Sequence, residues 1–299
     1  MWNFEYKAHT HLTRPAKKYS ELWRLVVGLF LGTGIALFLF ALYNTVIVST
    51  LTMLGLPVAP LDGDFGSTAT SVVVLLSGFA MFTTAVFLVV LTLHRRPIGT
   101  IFGPVRLVIP QFLRVCAMMG LLLLVVFILP PWGYGEPLVP NLPLGKWVVI
   151  LPLTLLAVLI QTSAEEILFR GYMQQQLAAR FKSPLVWMVV PSAIFAIGHY
   201  DPANAGQNAY VLVIWAFVFG LAMADLTARA GSLGPAMAVH FVNNVSALLI
   251  VSIPESLDGA ALFLLPFGLQ DVELMRAWLP VDFALICISW LAARLAIRA

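Results

Sequence analysis

Of 299 residues, 61% are hydrophobic and only 10% are charged, with a formal net charge of +3 and a mean hydropathy of +0.94. So few charges cannot cover the apolar surface of a soluble domain of this length, and several apolar runs approach the ~20 residues that cross a bilayer. The two cysteines, Cys116 and Cys287, lie inside apolar runs at no metal-binding spacing, which argues against a disulfide framework or a Cys-ligated metal.

The chain opens on a polar, basic stretch, residues 1–24, without the apolar core or small-residue cleavage site of a signal peptide, and it reads as a cytosolic arm. Residues 25–299 read as one transmembrane domain with eight spans, at roughly 25–53, 68–93, 111–129, 147–173, 184–200, 209–228, 233–252 and 278–294. Residues 257–270, broken by Pro266, are too short for a ninth crossing and read as re-entrant or interfacial.

The basic residues fall on alternate sides of these spans. They gather in the first 24 residues, at 95–114, at 170–182, at Arg229 and at Arg294 and Arg298. Only Lys146 and Arg276 lie opposite, together with Asp62, Asp64, Glu136, Asp201, Glu255 and Asp258. By the positive-inside rule both termini are cytosolic and the number of crossings is even. The same bias accounts for a pI near 9.0 without invoking nucleic acid. The expected architecture is an all-α, polytopic helical bundle in the membrane, with the bacterial inner membrane as the default location.

Three polar clusters break the apolar pattern, and each is costly enough inside a membrane to need a reason. The first is Glu165, Glu166 and Arg170 in span four. Glu166 and Arg170 are four apart with the acid first, the favourable order for an ion pair, while Glu165 points about 100° away. A carboxylate without that partner, in a poorly solvated site, suits a general base. His199 ends span five, just before Asp201-Pro202. In span seven, His240 and Asn244 share a face, Asn243 adjoins them, Ser232 fits an N-cap and Pro235 the first turn.

If Gln174–Gln176 mark where span four leaves the membrane, Glu165 lies nine residues inside, or ~14 Å, at a depth His240 and His199 can share. Read singly, the Glu166–Arg170 pair could be a structural brace, and a lone His or Asn an interhelical hydrogen bond. Together they make a shared polar site. A carboxylate and an imidazole can deprotonate a water, and a second imidazole and an amide can stabilise the resulting oxyanion. Glu165, His199 and His240 could equally ligate Zn²⁺ with a position left for water. A proton or ion path in a transporter, or a polar core in a non-catalytic scaffold, would use the same groups, although no repeated halves point to a transporter.

Glu165-Glu166-x-x-x-Arg170, Phe195-x-x-x-His199 and His240-x-x-x-Asn244 occur in this order, with Gly231–His240 (GSLGPAMAVH) leading into the third. This series resembles the CPBP intramembrane proteases, which include the CAAX prenyl endopeptidases and the bacteriocin-processing or immunity (Abi) proteins. The resemblance covers about residues 150–250. It implies an intramembrane endopeptidase whose site opens toward the cytosol and which acts on a membrane-associated, in some members prenylated, substrate. Glu165 and His199 would activate water, His240 and Asn244 would hold the oxyanion, and Glu166 and Arg170 would orient the site. The family has been described as both metal- and glutamate-dependent. The glutamate form, without a cofactor, is favoured here over Zn. The rival to proteolysis is a membrane scaffold or immunity protein, and less so a transporter.

Overall fold

A computed structural model describes residues 6–55, 66–128 and 137–298. Asp62, Asp64 and Glu136, used above for orientation, lie outside the described residues. The chain is an all-α polytopic bundle and an integral, multi-pass membrane protein. A short α1 (Thr10–Ala16) precedes the long apolar helices α2 (Leu22–Met53), α3 (Ala69–Thr92) and α4 (Val105–Ile128). Next come α5 (Leu144–Arg180), α6 (Leu185–Ile197), α7 (Ala209–Ala230), α8 (Gly234–Ile250) and α9 (Val272–Ile297). Six of the eight expected spans coincide with helices long and apolar enough to cross a bilayer, α7 being counted from Pro202; α6 and α8 are shorter apolar helices.

Local sequence sets these limits. The Thr68 hydroxyl accepts from the Ser71 N–H at 3.1 Å, and the Ser71 hydroxyl takes the Thr68 N–H at 3.1 Å, a reciprocal cap that starts α3. Asp271 caps α9 by accepting from the Leu274 N–H. Leu233 rather than Ser232 occupies the cap position of α8, yet the Ser232 hydroxyl accepts from the Gly234 N–H at 3.2 Å and satisfies one free donor of that helix.

The helices pack as neighbours in a bundle: α2 on α3, α3 on α5, α8 on α4 and α5, α7 on α6, and α9 on α4 and α7. The segment 257–270 is not a ninth crossing. It contributes β3 (Phe263–Leu264) to a three-stranded patch, pairing antiparallel with β1 (Val139–Pro140) and parallel with β2 (Val251–Ser252). Because β1 leads into the start of α5 and β2 leaves the end of α8, this patch closes the bundle end remote from the N-terminal arm.

At the other end, the basic arm does not hang free. Leu12 and Ala16 are buried, and α1 packs on the last turns of α5. The Tyr6 hydroxyl donates to Asp225 at 2.8 Å, and Asp225 also accepts from Arg229 and Trp290. The arm, α7 and the C-terminal part of α9 thus converge at one end. Gly231, at φ +65°, ends α7 against the arm: a Cβ there would meet the Ala8 carbonyl oxygen. Its left-handed backbone and that close approach both require glycine.

Gln174, Gln175 and Gln176 are all buried against protein. Gln174 donates to the Ala224 carbonyl at 3.0 Å and Gln175 to the Ile101 carbonyl at 2.7 Å, while Arg96 donates to Gln175. Gln176 lies 3.1 Å from the His94 ring, which also contacts the Tyr172 hydroxyl at 2.9 Å. Gln175 and Gln176 fasten the 94–104 connection to α5, and Gln174 ties α5 to α7. Burial lowers the Arg96 guanidinium to about 10.

His9 gives the arm a pH dependence. Its ring packs at a tilt against Trp187 with centroids 4.7 Å apart, Nε2 has no protein partner, and burial lowers its pKa from 6.5 to about 4. The unfolded chain therefore binds this proton first as pH falls. The contribution is complete above pH 6.5 and is lost as pH falls toward 4; integrated over that window it is about 3 kcal/mol. Thermal unfolding of wild type and His9→Gln between pH 7 and 4.5 tests this. The wild type should lose stability steeply and the variant should show a flatter profile.

Candidate active site

The site lies where α5 and α8 run antiparallel in contact. Residues four apart on a helix stack on one face, so Gln161 and Glu165 on α5 meet Asn244 and His240 on α8 rung for rung. On the first rung Asn244 Nδ2 donates to Gln161 Oε1 at 2.9 Å. On the second, His240 faces both carboxylates. Its Nδ1–H donates to Glu166 Oε1 at 2.8 Å, and its Nε2 stands 3.6 Å from Glu165 Oε2. The second separation is within reach of charge attraction but too long for a hydrogen bond. Gln161 Nε2 donates to the other oxygen, Glu165 Oε1, at 2.6 Å.

Glu166 is wholly buried and accepts from Arg170 Nη1 at 3.0 Å as well as from His240. Arg170, 1% exposed, also donates to the Gly220 carbonyl at 3.1 Å and lies 4.9 Å from the centre of the Phe195 ring. A guanidinium with one face on an aromatic ring and its donors on a carboxylate and a carbonyl is fixed in place. It in turn fixes Glu166, and Glu166 fixes the His240 ring so that Nε2 points at Glu165. The Glu165 side chain keeps 18% exposure, the only carboxylate of the pair with access to a water.

Immediately after each polar group the helix widens to i→i+5 hydrogen bonding: at Ile167–Met173 in α5, and at Ser246–Ile250 in α8. Such turns cost hydrogen-bond geometry and re-aim side chains, and they concentrate at functional sites. Gly171 sits in the first one, where a Cβ would clash with Ile101.

His199 is placed differently from the rest. It is exposed at the end of α6, its Nδ1–H donating to the Phe195 carbonyl at 2.9 Å. That bond fixes the tautomer and leaves the Nε2 lone pair free. The Phe195 ring lies between the two histidines, 4.5 Å from His199 and 6.3 Å from His240, centre to centre. Glu165, Glu166, Arg170, His240 and Asn244 thus share one hydrogen-bonded and ionic network, which His199 adjoins without bonding to it. Gln161 belongs to the network although the motif reading passed over it; its position four residues before Glu165 puts it on the same helix face, but its partner Asn244 lies on another helix. Asn243 joins through Asn244, donating to its side-chain oxygen at 3.2 Å.

The zinc alternative needs Glu165, His199 and His240 to converge on one point. The Nε2 of His199 is free to be a ligand, and among the described residues no three His, Cys, Asp or Glu side chains are grouped to hold a metal ion.

The surroundings define access. Toward the arm, Arg170, Tyr172 and Gln174–Gln176 are all buried, so that direction is packed shut. The flank carrying Glu165 and the exposed His199 and Tyr200 is not covered by other parts of the protein.

Residues 147–246, about a third of the chain, match the family model described as type II CAAX prenyl endopeptidase Rce1-like. The matched segment runs from α5 into α8 and holds every residue of the network, which supports the resemblance carried by the three motifs: this segment is similar to the CAAX proteases. The chain is also 27% identical over 257 residues to a Bacillus subtilis (strain 168) protein, "Uncharacterized protein YyaK", covering 82% of this chain and 83% of that one. No solved structure matches. The Rce1-like match carries protease activity in general terms.

Proposed function

We propose that the chain is an intramembrane endopeptidase that hydrolyses a peptide bond of a membrane-associated polypeptide, prenylated chains being the class suggested by the description of the matched family. The observation that carries this reading is the antiparallel pairing that leaves Glu165 as the exposed carboxylate, with Gln161 holding one oxygen and His240 beside the other.

A water at Glu165 Oε2, held also by the free Nε2 of His199, loses its proton to the carboxylate as its oxygen attacks the peptide carbonyl. The carbonyl oxygen becomes an oxyanion that the hydrogen on Asn244 Nδ2 stabilises; with Nδ1–H of His240 engaged by Glu166, its Nε2 adds a second donor only when the ring carries both protons. The proton on Glu165 then passes to the leaving amine as the C–N bond breaks. Glu166 and Arg170 touch no reacting atom; they hold His240. The substrate approaches by the His199 flank. The Bacillus relative supports a bacterial cytoplasmic membrane as the location.

Four variants test the assignment: Glu165→Ala, His199→Ala, His240→Ala and Asn244→Ala, each compared with wild type for new peptide termini in membrane fractions. The first three should abolish the termini, and Asn244→Ala should slow their appearance by ~10²-fold, as the loss of one oxyanion donor does. Wild-type yields from all four would overturn the site. A scaffold or immunity protein would keep its effect on cells in Glu165→Ala, which separates that rival from a protease.

A further inference from the structure

The chain of side-chain amides behind Glu165 has a direction. We infer that Gln161 is a positioning residue that sets both the Glu165 carboxylate and the donor face of Asn244, an inference that rests on the protease reading. An ionised carboxylate offers only acceptors, so Gln161 must turn its NH₂ toward Glu165 Oε1, 2.6 Å away. Its carbonyl then faces Asn244, which must donate, at 2.9 Å. The Asn244 carbonyl is left to accept from the Asn243 NH₂ at 3.2 Å. Amide orientation follows from such networks, and here one charge orders three amides in series.

The far end of the chain meets a cavity. Asn243 lines a space of about 40 Å³ between α7, α8 and α9, together with Asp282, Ser289 and Trp215. The Trp215 indole N–H is buried without a protein partner. The space exceeds the ~10–15 Å³ that a water needs and has polar groups on several sides. It is therefore large enough to hold a water beside the Asn243 side chain.

The consequence falls on Asn244. Its NH₂ has two hydrogens; one is used on Gln161 and the other remains for the oxyanion. Without the Gln161 carbonyl, Asn244 is free to rotate and present its own carbonyl, which repels an oxyanion. Gln161 therefore acts on both the base and the oxyanion site without touching substrate.

Two measurements test this, and the first does not depend on proteolysis. In protein reconstituted into phosphatidylcholine vesicles, solid-state NMR of the side-chain amide nitrogens should show that Glu165→Ala shifts the Asn244 signal as well as that of Gln161. A response confined to Gln161 would mean that the orientation does not propagate. The second is a double-mutant cycle on the rate at which Glu165-dependent peptide termini appear in membranes. Gln161→Met and Asn244→Ala should each slow it by ~10–100-fold, and the double variant should fall no more than ~3-fold below the slower single one. Multiplicative effects, or a Gln161→Met rate within ~3-fold of wild type, overturn the inference. Thermal unfolding identifies any variant that fails to fold, and Gln161→Glu, which keeps the volume but removes the donor, then replaces Gln161→Met. If Glu165→Gln itself removes no termini, the protease reading fails and the inference about catalysis with it, whereas the amide shifts still report whether the chain exists.

Discussion

Substituting Arg170 by Met should destabilise the folded protein by about 3–5 kcal/mol, the cost of leaving one partner of a buried ion pair uncompensated. Glu166 is 0% exposed and Arg170 1% exposed, so water cannot replace the lost guanidinium. The substitution also removes the donor to the Gly220 carbonyl and the cation against Phe195. The pair is not a surface brace, whose removal would cost roughly 1 kcal/mol or less. Denaturant unfolding in mild detergent provides the measurement. The double variant Glu166→Gln/Arg170→Met should recover much of the loss, because the uncompensated charge is then gone. A single variant as stable as wild type would contradict this account of the brace.

Glu165→Gln should have the largest effect on turnover, a loss of roughly 10²–10⁴-fold, the range supplied by a positioned general base. The amide is nearly the same shape, keeps an oxygen to accept from Gln161, and removes only the basicity. Unfolding should stay close to wild type, since Glu165 is partly exposed and its contact with His240 is 3.6 Å long. This separates the two adjacent glutamates: Glu166 substitutions register in stability first and Glu165 substitutions in rate. If Glu165→Gln unfolded like Arg170→Met, the two carboxylates would share one structural role, and the division of labour proposed for them would be wrong.

Local spacing made much of this arrangement readable in the sequence. The i, i+4 pairs Glu166–Arg170 and His240–Asn244 each stack on one helix face, and the apolar runs between loops placed the helices. The partners across the α5–α8 contact were not readable, since spacing along one helix does not determine which residue it faces on another. That is why Gln161, an ordinary polar residue in an apolar span, gained meaning only beside Asn244. The partners of Gln174–Gln176 were hidden for the same reason: they bond carbonyls and side chains of neighbouring segments. The two-residue strands β1–β3 are too short for any alternation to register. His199, expected among the reacting groups, is oriented by the Phe195 carbonyl four residues earlier, a contact the Phe195-x-x-x-His199 spacing contains but does not announce.

The central claim is that Glu165 serves as the base of a membrane-embedded peptidase. The most direct measurement is a mass-spectrometric survey of peptide termini in membrane fractions from cells expressing equal amounts of wild type or Glu165→Gln. The account predicts a set of termini present with wild type and absent with the variant, which would also identify the substrate. Identical termini in the two samples across several growth conditions would contradict it.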